Sequence, residues 1–108
     1  MDKNEKLVIN KAENVLKVLS SSTRMNILLL LEQKPMTVNE LVEQLKISQP
    51  AVSKQLRLLR EYQIVSFNKQ GKESLYGLED LHILNVINST MEHAKHVLAK
   101  EDCNLAAK

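Results

Sequence analysis

The sequence predicts a winged helix-turn-helix, a mainly α fold with one β-hairpin. Glycine and proline are scarce, two of each in 108 residues, so helices dominate. Two short helical patterns, over residues 37–45 and 48–62, are joined by Lys46-Ile47-Ser48 alone. A stretch of alternating character around a Gly-containing turn follows at once, over residues 64–78, where a wing belongs.

Each element has a local cause. Residues 3–19 place Leu7, Val8, Ala12, Val15, Leu16 and Leu19 at helical spacing, and Ser20 to Ser22 interrupt them. A second helix carries Met25, Ile27, Leu28 and Leu31 until Lys34 and Pro35 stop it. Thr37 and Glu40 form a capping box that opens a short helix over Val38, Leu41, Val42 and Leu45. Ser48 caps the next, whose first turn accepts Pro50 because an N–H there has no helical partner anyway. Ile64 to Phe67 and Ser74 to Leu78 flank the turn Asn68-Lys69-Gln70-Gly71-Lys72. A last helix from about Leu81 to Lys100 is about 30 Å long and keeps Leu84, Ile87, Met91, Ala94 and Leu98 on one stripe. Residues 101–108 read as a frayed tail of a single domain spanning 1–108.

Composition removes several functions. Hydrophobic residues are 44 % and charged residues 26 %, too apolar for a disordered chain. Aromatics are only 3 %, with no Trp, which leaves little to build a base-stacking platform. The single cysteine, Cys103, excludes an intrachain disulfide framework and a paired-cysteine zinc site, and suits a reducing cytoplasm. No apolar run approaches about 20 residues and the start MDKNEK is polar, so the expectation is a cytoplasmic protein with no membrane partner.

Charge is unevenly spread. The total is +2, but residues 46–72 hold Lys46, Lys54, Arg57, Arg60, Lys69 and Lys72 against Glu61 alone, a net +5. Residues 73–108 are net −3 and hold all three histidines. A polyanion suits the first block and a cation the second. On a helical wheel the 49–62 helix gathers Ala51, Val52, Leu56, Leu58, Leu59 and Tyr62 on one arc; Gln49, Ser53, Lys54, Arg57 and Arg60 occupy the other. The first arc packs and the second enters a major groove, with Gln49, Ser53 and Lys54 near enough to its start to reach base edges. Arg57, Arg60, Lys69 and Lys72 then meet phosphates.

The histidines form a second constellation, Asp80-x-His82 and His93-x-x-His96. His93 and His96 share a helix face and can hold one ion together. Asp80 and His82 are about 200° apart on an ideal helix and converge only if Asp80 lies in a loosened first turn. Asp80 equally suits the positive end of a helix dipole with no ligand role. The pairs are roughly 16 to 24 Å apart along one helix, so one chain cannot join them. Two antiparallel copies, related by a two-fold axis near residue 88, bring Asp80 and His82 of one against His93 and His96 of the other. The seam is expected at Leu84, Ile87 and Met91. One carboxylate and three imidazoles suit tetrahedral zinc or cobalt, and the absence of thiolates disfavours Cu⁺, Cd²⁺ and Pb²⁺.

The runs SQPAVSKQLRLLREYQIV, NKQGKESLYGLEDLH and HAKH resemble the ArsR/SmtB family of metal-sensing repressors over nearly the whole chain. Within it, the ligand pairs resemble those of zinc and cobalt sensors that bind metal at a dimer interface. The resemblance implies metal ligands Asp80, His82, His93 and His96 and DNA readers around Gln49, Val52, Ser53 and Lys54. It further implies a homodimer on double-stranded, palindromic operator DNA. Metal-free protein of that kind occupies its operator, and metal releases it to switch on efflux or resistance genes. The segment VNELVEQL lacks the cysteines of other branches, and Pro50 stands where the family often has a small polar residue. An enzyme is not expected, because four protein ligands leave zinc no open position for water. A repressor that answers a non-metal signal, for instance oxidation at Cys103, is the competing reading.

Overall fold

The computed structural model describes residues 1–107, with side chains to Cys103. Helices α1 (Lys3–Leu19) and α2 (Ser22–Gln33) come first, then a two-residue strand β1 (Met36–Thr37), helices α3 (Val38–Leu45) and α4 (Gln49–Glu61), strands β2 (Val65–Gln70) and β3 (Glu73–Leu78), and helix α5 (His82–Ala107).

The predicted caps are made. The α3 capping box is reciprocal: the Glu40 N–H donates to Thr37 Oγ1 at 3.2 Å and the Thr37 N–H to Glu40 Oε1 at 3.1 Å. Ser48 Oγ accepts from the Ala51 N–H at 3.2 Å and starts α4. Lys46, at φ 57° and ψ 40°, makes the left-handed residue that ends α3 and turns the chain into α4. Gln63, at φ 59°, does the same after α4, where the Ile64 N–H donates back to the Leu59 carbonyl at 2.9 Å.

The sheet is antiparallel in the order β1-β3-β2, with Val65 opposite Leu78, Gln70 opposite Glu73, and Met36 opposite Tyr76. Strand β1 is absent from the sequence pattern. Two residues carry no periodicity, and Met36 is strand only because β3 lies beside it, with its side chain 4 % exposed. The hairpin turn is also tighter than the five-residue turn the sequence suggests. Pairing continues to Gln70 and Glu73, and Gly71, at φ 63°, takes the reversal with Lys72.

The core joins Ile27 and Leu28 of α2, Leu41 of α3, Val52, Leu56 and Leu59 of α4, and Ile64 and Val65, all 0 to 1 % exposed. Two expectations for α5 need correcting. The helix continues to Ala107, so the segment read as a frayed tail is helical up to there; Lys108 lies outside the described residues. Leu84 and Ile87 are buried against the chain's own body, which removes them from any seam with a second copy. Val86, Val97 and Leu98 of α5, and Leu7, Val8, Ile9 and Leu16 of α1, are large apolar side chains left exposed on these helices. Among the described residues no helix is long and apolar enough to cross a membrane.

Candidate nucleic-acid interface and metal centre

Helix α4 presents one polar face. Gln49, Lys54, Arg57 and Arg60 are exposed and Ser53 is half-buried. The Gln49 amide nitrogen donates to Ser53 Oγ, one turn on, at 3.2 Å, which holds the two side chains side by side at the start of the helix. Val52 is 0 % exposed and packs in the core with Leu56 and Leu59. It has no surface to offer a base, so it leaves the set of readers; its place on the apolar arc of the wheel decided the matter.

The wing is fastened to this helix by a contact that charge counting missed. The Arg60 guanidinium lies 4.4 Å from the centre of the Phe67 ring, and Phe67 packs on Tyr76 across the hairpin at 5.4 Å between ring centres. Arg60 therefore lays one face on the wing and stays exposed to solvent. Lys69 and Lys72 are exposed near and at the hairpin tip. A polar cleft lined by Asn39, Gln49, Lys72 and Ser74 separates the first turn of α4 from the wing.

At the other end of the molecule Asp80 stands just before α5. Its Oδ1 accepts from the His82 backbone N–H at 2.8 Å and lies 2.8 Å from His82 Nδ1. Because Asp80 is outside the helix, the 200° separation does not apply and the two side chains meet. The His82 N–H, and then the imidazole itself, hold the Asp80 carboxyl below its usual value. His82 Nε2 is left facing solvent, on a side chain 91 % exposed. His93 and His96 are exposed one turn apart, about 16 and 21 Å beyond His82 along the axis. Among the described residues no three His, Cys, Asp or Glu side chains gather at one point. One chain thus brings Asp80 and His82 together and sets His93 and His96 one turn apart, without joining the two pairs.

Residues 21–66, which span α2 through α4 and the start of the wing, match the family of bacterial regulatory proteins called the arsR family. The biofilm growth-associated repressor of Xylella fastidiosa is 34 % identical over 80 residues, 74 % of this chain and 70 % of that protein. The chain belongs to the ArsR family. The HTH-type transcriptional repressor SmtB of Mycobacterium tuberculosis is 32 % identical over 87 residues, 81 % of this chain. The chain spans 64 % of the length of that relative. Among solved structures, the homodimeric winged helix-turn-helix DNA-binding domain Mb0332 of Mycobacterium bovis superposes with a TM-score of 0.82. That match has 18 % identity over 91 % of each chain and supports the fold. The ArsR family comprises DNA-binding regulators and not enzymes. The matched segment contains Gln49 to Arg60, while Asp80, His82, His93 and His96 all lie outside it.

Proposed function

We propose that this ArsR-family chain is a homodimeric repressor that holds a palindromic operator with α4 and the wing and releases it when zinc or cobalt binds. Gln49, Ser53 and Lys54 read bases; Arg57, Arg60, Lys69 and Lys72 meet phosphates. Each metal ion takes Asp80 and His82 from one copy and His93 and His96 from the other. With operator DNA as its partner, its place is the cytoplasm.

The observation that carries this reading is the meeting of Asp80 and His82 at 2.8 Å at the start of α5, with a second two-ligand turn farther along the same helix. Neither pair completes a tetrahedron alone, and a two-fold axis between them makes two complete sites from two copies. The apolar side chains that α1 and α5 leave exposed supply the seam in place of Leu84 and Ile87. Metal joining two copies of α5 fixes the distance between two recognition helices, and half-site spacing is what a dimeric reader must match.

The test is DNA binding by the dimer with and without metal. A labelled duplex recovered from a random pool should be held by apo protein and released by about one zinc per chain. His93→Ala should keep DNA binding and lose the response. The competing reading, a repressor that answers oxidation, rests on the exposure of Cys103 on α5. Release by peroxide with none by zinc selects it.

A further inference from the structure

We infer that Arg24 is the joint through which the position of α1 is passed to the DNA-reading helix α4. The inference rests on α4 being that helix, and it adds a positioning residue outside both the DNA face and the metal ligands.

Helix α1 is 17 residues long, yet only Val18 and Leu19, at its last turn, are buried. Leu7, Val8 and Leu16 are 57 to 58 % exposed. The helix is therefore held at one end, and whatever covers its apolar side chains also moves or holds it. The last turn of a helix leaves carbonyls with no partner inside the helix. Arg24 Nε donates to one of them, the Val18 carbonyl, at 2.6 Å, and places its charge at the negative end of the α1 dipole. The same guanidinium donates through Nη1 to Gln55 Oε1 at 2.7 Å, and Gln55 sits on α4 beside Lys54.

Arg24 itself is fixed at the backbone, its N–H donating to the Ser21 cap at 3.3 Å. The side chain is half-buried, where charge-assisted hydrogen bonds are stronger than in water. A guanidinium is a rigid fork, so two bonds from one fork set an angle between their partners; an ammonium on a flexible stem does not. Among the described residues no other side-chain hydrogen bond reaches both α1 and α4. Sequence reading passed over both residues, since a single Arg and a single Gln 31 positions apart carry no pattern.

A direct phosphate contact is the rival role, because Arg24 shares a cleft with Lys54 and Arg57. The full chain and the variants Arg24→Lys, Arg24→Met, Gln55→Met and Arg24→Lys/Gln55→Met are titrated with the duplex that the unaltered chain enriches from a random pool. Salt runs from about 50 to 200 mM. Thermal melts establish that each is folded at the assay temperature. A joint predicts that Arg24→Lys and Gln55→Met each weaken binding about 10-fold, a typical coupling. It also predicts that the double variant is no weaker than the weaker single one, and that every slope of log K against log salt is unchanged. A shallower slope for Arg24→Met, with Arg24→Lys near normal, assigns Arg24 to a phosphate and overturns the joint. So do losses that multiply in the double variant, or lower melting with unaltered DNA affinity. A chain that enriches no duplex at all overturns the DNA reading of α4, and the joint with it.

Discussion

Val52 and Ser53 are adjacent on α4 and have opposite surroundings: one has no exposed surface, the other borders the polar face and accepts a hydrogen bond from Gln49. Val52→Ala should therefore cost about 2 kcal/mol of stability, read as a lower melting temperature, by loss of buried methyl groups and a small cavity. Ser53→Ala should leave stability within about 0.5 kcal/mol and change which duplexes are selected. Lys46 is a second residue with a definite cost. It sits at φ 57°, a conformation that crowds any Cβ, at a turn where its side chain is exposed. Lys46→Gly should raise stability by about 1 kcal/mol in denaturant melts.

Elements behave as units set by their ends and their contacts. The cap of α3 contains an ionisable group, Glu40, whose pKa lies below the ordinary 4.5 chiefly because the Thr37 backbone N–H donates to it and Lys34 lies nearby. A carboxylate depressed by folding adds stability above its unfolded pKa, and that contribution is lost as pH falls through the folded value. Glu40→Ala should consequently lower the melting temperature at neutral pH, and the gap to the unaltered chain should narrow as pH falls through the depressed Glu40 value. The wing is held differently, by Arg60 over Phe67 and the Phe67–Tyr76 pair. Lys72, exposed at its tip, should act as a charge alone. Lys72→Ala should reduce the salt slope by about 1 per wing and leave base preference intact.

The whole molecule enters through the proposed metal site, because one chain places Asp80 and His82 together at the start of α5 and His93 and His96 about three turns farther along it. Asp80→Ala and His93→Ala homodimers should each lose tight zinc at both sites. A mixed dimer should recover one tight zinc, formed from the intact Asp80 and His82 of one chain and the intact His93 and His96 of the other. Native mass spectrometry of co-expressed, differently tagged chains counts the ions, and no recovery means that the site is not shared. Zinc affinity should fall between pH 7.5 and about 5.5, since an imidazole binds metal only when neutral and protons compete for its nitrogen.

What the sequence determined by itself is everything written in local patterns. Caps at Thr37 and Ser48, the stop at Lys34-Pro35 and the spacing of Val52, Leu56 and Leu59 depend on neighbours within a turn or two, and all appear where the pattern puts them. The polar face of α4 was legible for the same reason. Tertiary structure decided what depends on distant partners. Met36 became strand because β3 was there to pair with it, and Leu84 and Ile87 went to the chain's own core because α5 packs on α2. Arg60 was turned onto Phe67, and Arg24 was set between Val18 and Gln55. Asp80 met His82 because three residues, Glu79 to Leu81, separate the end of β3 from the start of α5, which frees Asp80 from helical geometry. Periodicity reports which face of an element is apolar; it holds no information on which distant surface will cover that face, and that is fixed only when the elements pack.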